Sequence, residues 1–301
     1  MSGLGAISAG GDKSAAAMGI MVGISKHAPN GLNRSTWCGI SAGALIGSQM
    51  AQIEPGKNAL CIKTLEQLMS MKVDFVEPWS RRSNILGIIY GALWHESLFK
   101  PNLMRIVKPL WKEEKYRTLV VGTTNITKGE YESFEQPPIE MVIASASVPV
   151  VFPSVHYKGN RYCDGAMHHV IPIREIKQYW KEGPLDVILC YPMDHTEYLK
   201  SNIPESKHMM YGYVFETLSE ALWNNMVNDM RELARYYNLD YEKVKKGGRF
   251  LYEGREIRIY VPTKGVYLDF TKRNHHALHV MHEHGEEIAK NVLTNKAYKY
   301  Y

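Results

Sequence analysis

Ser41 lies in Gly39-Ile40-Ser41-Ala42-Gly43, between an apolar run and a helix-forming segment that begins at Ala42. That order predicts a strand, a sharp turn and a helix, with the serine at the tip. A backbone bent this tightly is crowded on both sides, so glycine is expected to be required at positions 39 and 43. The serine oxygen should stand exposed above a helix N-terminus, where developing negative charge is favoured. A tight turn holding an incidental serine would give the same pentapeptide. The chemistry therefore depends on whether the chain also supplies a base and an oxyanion site.

Two arrangements of a serine nucleophile compete. In the first, an acid and a histidine follow the serine, and the turn comes after several strands. Ser41 is early, with room for only two strands before it, although His195, His208 and His279 lie downstream. The second uses one serine and one aspartate. A carboxylate bonded directly to the serine needs no imidazole, but its ordinary pKa near 4 makes it a weak base unless it is desolvated. Asp164 precedes Gly165 and follows an apolar stretch containing Val148 and Phe152. By itself, Asp-Gly reads rather as a turn.

Several segments, in order, resemble patatin-like phospholipases. Gly10-Gly11-Asp12-Lys13-Ser14 resembles their glycine-rich oxyanion loop, Gly39 to Gly43 their nucleophile elbow, and Asp164-Gly165-Ala166 their base motif. Thr123 to Glu130 and Ala144 to Pro153 are similar to the segments that come before that aspartate, and the likeness runs from residue 4 to about 192. The resemblance implies a three-layer α/β/α sandwich with a mostly parallel central sheet, and a Ser-Asp dyad that cleaves acyl esters of phospholipids or related lipids. By position, Ser41 would be the nucleophile and Asp164 the general base. The amides of Gly10 and Gly11 would hold the oxyanion, and Lys13 would support the loop or an anionic substrate. No metal or cofactor is implied. Ala9 and Ser14 stand where the family carries glycine. Ala9 is compatible if its φ stays negative, and Ser14 suits a helix N-cap. Two alternatives stay open: an acyltransferase on the same dyad, and a catalytically impaired relative that binds lipid or a partner.

The elements that must carry these residues follow from periodicity. Strands are expected at Leu4 to Ser8, Arg34 to Cys38, Thr118 to Thr124, Tyr131 to Phe134, Asp186 to Cys190 and Arg255 to Val261, and a hairpin at Val155 to Cys163 through Lys158-Gly159-Asn160. Helices are expected at Ala15 to Lys26, Ala42 to Gln52, Asn58 to Met71, Pro101 to Trp111, Glu140 to Ser145, His208 to Tyr237 and Asn274 to Leu293. Pro78 to Leu98 reads as an aromatic surface excursion near a substrate entrance. Strands alternating with helices argue for a mostly parallel sheet covered on both faces, and 301 residues without a Pro/Gly/Ser-rich linker read as one domain over 1–301.

The net charge is +5, with Lys and Arg spread along the chain, so nothing points to nucleic acid. No run of about 18 apolar residues would span a membrane, and the N-terminus lacks a signal-peptide pattern. The four cysteines form no C-x-x-C pair and read as buried thiols of an intracellular protein. A cytoplasmic enzyme working peripherally on membranes is the expectation. The aromatic excursion and Tyr298 to Tyr301 are candidates for interfacial contact. His168-His169 read as structural, and the histidines from His275 to His284 lack the carboxylate or thiol pattern of a metal site.

Overall fold

The structure is a computed structural model that describes residues 2–28, 30–70, 104, 108, 111–112, 114–149, 152–202, 209–266 and 275–295. The excursion at 78–98, nearly all of the helix read over 101–111, and the segments 267–274 and 296–301 lie outside the described residues.

The chain opens with β1 (Leu4–Ile7), a 3-10 turn (Gly11–Lys13) and α1 (Ser14–His27). Then follow β2 (Thr36–Ile40), α2 (Ala42–Ala51), α3 (Asn58–Ser70), β3 (Thr118–Asn125), β4 (Glu130–Glu135) and α4 (Ile139–Ser145). The hairpin β5 (Val155–Tyr157) and β6 (Asn160–Asp164) runs into a second 3-10 turn (Gly165–Met167), α5 (Ile173–Tyr179) and β7 (Leu185–Ile188). The remainder is α6 (His195–Asn202), α7 (Met209–Tyr236), α8 (Tyr241–Val244), β8 (Gly248–Tyr252), β9 (Arg255–Tyr260) and α9 (His275–Thr294). β2 begins and ends two residues later than the apolar run suggests, because pairing with β1 and β3 continues to the last residue before the turn. α5, α6, α8 and β8 are short or at the edge and carry no period that the sequence reveals.

Nine strands form one mixed sheet in the order β5-β6-β3-β2-β1-β7-β9-β8, with β4 also paired to β3. The centre, β3-β2-β1-β7-β9, is parallel. The outer strands β4, β5, β6 and β8 pair antiparallel. Side chains alternate across the pleat, so β3 sorts its neighbours by parity. Leu119 and Val121 pack with Ala44 and Ala51 of α2 and Val142 of α4. Val120 lies in the main core with Ile173 and Ile176 of α5. Helices thus cover both faces, giving the α/β sandwich expected.

The end of the sheet remote from Ser41 is locked electrostatically. Asp186 of β7 is buried and ion-paired with Arg34, whose Nε lies 2.6 Å from Oδ2. Arg258 approaches its Oδ1 at 3.6 Å and the Tyr260 hydroxyl donates to it at 3.3 Å. Asp186→Ala would leave Arg34 buried with its carboxylate partner gone, at a cost of roughly 3–5 kcal/mol. Urea denaturation should show that loss.

Candidate active site

β2 delivers Ser41 at its carboxyl end, where α2 begins. Ser41 has φ 58° and ψ −126°, a conformation that L-residues avoid and that marks a strained turn. The glycine requirement is steric. A Cβ on Gly39 would lie 2.3 Å from the Gly43 carbonyl oxygen, and one on Gly43 would lie 2.4 Å from the Ile7 carbonyl oxygen. The serine is only 5% exposed, not open as the turn alone suggests. The β1 loop, the end of α4 and the Asp164 segment all converge on it.

Asp164 reaches Ser41 through the sheet. β4 pairs with β3 along Val120–Asn125. β2 and β6 must therefore share the opposite edge of β3. Ile40 pairs with Gly122, and Asp164 pairs with Thr123, the next residue. β2 leaves that edge at the residue before Ser41, and β6 takes it over at Asp164. Two groups far apart in sequence are thus set side by side by one strand.

The carboxylate is 1% exposed. Its Oδ1 accepts the Ala166 N–H at 2.9 Å, and its Oδ2 makes no hydrogen bond of standard geometry. Burial raises its pKa to about 7, against the opposing pull of the Ala166 amide and of the neighbouring Ser41 hydroxyl. The hydroxyl thus bears on the carboxylate without a hydrogen bond of standard geometry.

The end of α4 pins both partners. Ser145 Oγ accepts the Ser41 N–H at 2.9 Å and donates to the Gly122 carbonyl at 2.7 Å. The Ser147 carbonyl accepts the Asp164 N–H at 3.0 Å. Sequence reasoning missed Ser145 as a separate contributor. The only signal is a buried serine ending a short apolar helix.

The glycine loop leaves β1 beside the elbow. Ala9 is buried, its φ is not positive, and its N–H donates to the Val170 carbonyl at 2.9 Å, so alanine is accommodated there. A Cβ on Gly10 would lie 2.2 Å from the Cys190 Cβ, and Gly11 has φ +50°. The amides of Gly10 and Gly11 have no acceptor among the described residues, and neither has that of Ala42 at the head of α2. Ser14 is not an N-cap. It is the first residue of α1, which Lys13 precedes without a side-chain cap. Lys13 is 5% exposed, and its ammonium makes no hydrogen bond or ion pair among the described residues. Desolvation lowers its pKa to about 8, partly offset by Asp12.

The histidines stand apart from the carboxylate. His168 Nδ1 lies 3.1 Å from Thr124 Oγ1, which donates to the Asp164 carbonyl, and His169 pairs with Asp229. His195 pairs with Glu220 and His279 with Glu283, both at the surface. His208 is outside the described residues. Among the described residues no group of three or more His, Cys, Asp or Glu is arranged to hold a metal. No helix there is long and apolar enough to cross a membrane. Cys38, Cys61, Cys163 and Cys190 are buried and form no disulfide.

Residues 5–176 match the family model described as Patatin-like phospholipase. The chain belongs to the patatin-like phospholipase family. VipD from Legionella pneumophila, known from a crystal structure, is 15% identical, with a TM-score of 0.48. The match covers 97% of this chain and 66% of the VipD chain, so this patatin-like chain spans just under two thirds of that length. A search of curated proteins found no match.

The raised pKa of Asp164 has a thermodynamic consequence. An acid whose folded pKa lies above its unfolded value binds more protons when folded, so it lowers stability as pH rises from about 4 to about 7. Asp164→Asn removes that penalty. Thermal denaturation should show a larger gain in Tm over wild type at pH 8 than at pH 5.

Proposed function

We propose that the chain is a lipid acyl hydrolase of phospholipase A type, with Ser41 as nucleophile and Asp164 as general base. The observation that carries the reading is the juxtaposition of a buried carboxylate of pKa about 7 with the strained serine across adjacent positions of β3. A base titrating near neutrality combines availability with driving force for proton transfer.

In this reading Ser41 Oγ attacks the ester carbonyl as its proton passes to Asp164. The oxyanion of the tetrahedral intermediate is held by the amides of Gly10 and Gly11, which have no acceptor among the described residues, with Ala42 at the head of α2 as a further donor that the sequence did not single out. Collapse expels the lysolipid alcohol, which takes the proton from Asp164. Water then gives a proton to the same carboxylate and attacks the acyl-enzyme, releasing the fatty acid and regenerating Ser41. Lys13, desolvated and without an ion pair among the described residues, offers positive charge next to this loop for an anionic lipid. The protein would act on membranes from their surface. Resolution of the same acyl-enzyme by an alcohol in place of water would make it an acyltransferase.

Fatty-acid release from phosphatidylglycerol or phosphatidylcholine vesicles tests the mechanism. Ser41→Ala and Asp164→Ala should each lose at least ~10³-fold, and a chelator should change nothing. The wild-type kcat/KM should rise with pH through an apparent pKa near 7, because the deprotonated carboxylate is the active form. Activity retained in both variants rejects the dyad. An added alcohol that diverts product into a new ester identifies transfer.

A further inference from the structure

Residues 165–172 run as a strap from Asp164 to α5, and the strap's two ends serve different halves of the site. Its first turn supplies the Ala166 N–H that holds Asp164 Oδ1. Further on, the Val170 carbonyl holds the Ala9 N–H at the entrance to the glycine loop.

Helix α7 grips this strap at two points. Asn225 Nδ2 donates to the carbonyls of Ala166 at 3.0 Å and Met167 at 3.1 Å. One turn later, Asp229 Oδ2 accepts the N–H groups of Val170 at 2.7 Å and Ile171 at 2.9 Å. Its Oδ1 lies 2.6 Å from His169 Nδ1. Residues four apart share one helix face, so one side of α7 holds both ends of the strap. Met226 and Met230, on either side of Asp229 in the helix, are fully buried. Asp229 itself is 2% exposed. A carboxylate is retained in such surroundings only when its oxygens are satisfied, and here the strap satisfies both.

We propose that Asn225 and Asp229 are positioning residues that couple the base to the oxyanion loop, so that α7 sets both at once. Asn225 fixes the turn whose amide orients Asp164. Asp229 fixes Val170, and through it the backbone from Ala9 to Gly11. The assignment rests on the reading of Ser41, Asp164, Gly10 and Gly11 given above. The polar contacts of Asn225 and Asp229 with the strap are to its backbone and to His169, so the two residues act on geometry alone.

Asp229→Asn and Asn225→Ala in the full chain test the coupling. Active sites are counted with a fluorophosphonate, and hydrolysis of a soluble p-nitrophenyl ester is measured per counted site. Amide hydrogen exchange is followed in peptides spanning residues 8–13 and 36–45. A purely structural role lowers the number of sites and leaves kcat per site alone. Positioning lowers kcat per site by ~10–100-fold in Asp229→Asn, and by less in Asn225→Ala, with KM within about twofold. It also speeds exchange at 8–13 and leaves 36–45 unchanged in Asp229→Asn. A kcat per site within about twofold of wild type in both variants overturns the proposal, as does unchanged exchange at 8–13. Should Asp229→Asn fail to fold, Asn225→Ala decides through its kcat per site. A wild type that hydrolyses no ester and takes up no fluorophosphonate rejects the dyad reading, and the exchange result then judges the α7 coupling separately.

Discussion

One edge of β3 is used twice, and the rest of the site depends on that sharing. β2 occupies the edge up to Gly122 and β6 occupies it from Thr123. The handover falls at the residue before Ser41 on one side and at Asp164 on the other. Ladder hydrogen bonds have a fixed spacing, and a one-residue slip turns every side chain to the opposite face. The relation between Ser41 and Asp164 is therefore held by backbone pairing. Ser145 and Ser147 at the end of α4 add a second attachment to each partner from outside the sheet.

The site carries strain and buried charge that the remainder of the molecule must offset. A positive-φ serine costs on the order of 1–3 kcal/mol. Asp164 and Lys13 are both shifted toward their neutral forms by desolvation. These are features that favour chemistry over stability. The compensation lies elsewhere: in the parallel centre of the sheet, in the apolar packing of both its faces, and in the Arg34–Asp186–Arg258 cluster at the far end of the strands.

The parts of this architecture that were legible in the sequence are those written in local backbone demands. Gly39, Ser41 and Gly43 announce a turn that only certain residues can make, and Gly10-Gly11 announces a loop with the same property. The long α7 was visible from the helical spacing of its apolar residues. What stayed hidden depends on partners distant in the chain. Nothing near Ser145 says that its hydroxyl will bridge the Ser41 amide and the Gly122 carbonyl. Asp229 looks like an ordinary polar residue in an amphipathic helix. Its one clue is a polar position where the apolar stripe of Met226 and Met230 should continue. The burial of Ser41 was missed for the same reason, since the turn does not reveal what closes over it. Edge strand β8 is short and half-buried, which gives its five residues no clean alternation.

Counting Ser41 and Asp164 off one strand also separates two kinds of change in the chain. The hairpin after β3, the turn before β5 and the connections between helices can lengthen, shorten or change composition while the distance from Ser41 to Asp164 stays fixed. An inserted residue between Gly122 and Thr123 has no such freedom, because the ladder on either side would no longer agree. The segments around Ser41 and Asp164 therefore have room to vary, and the step by which the two are set has almost none.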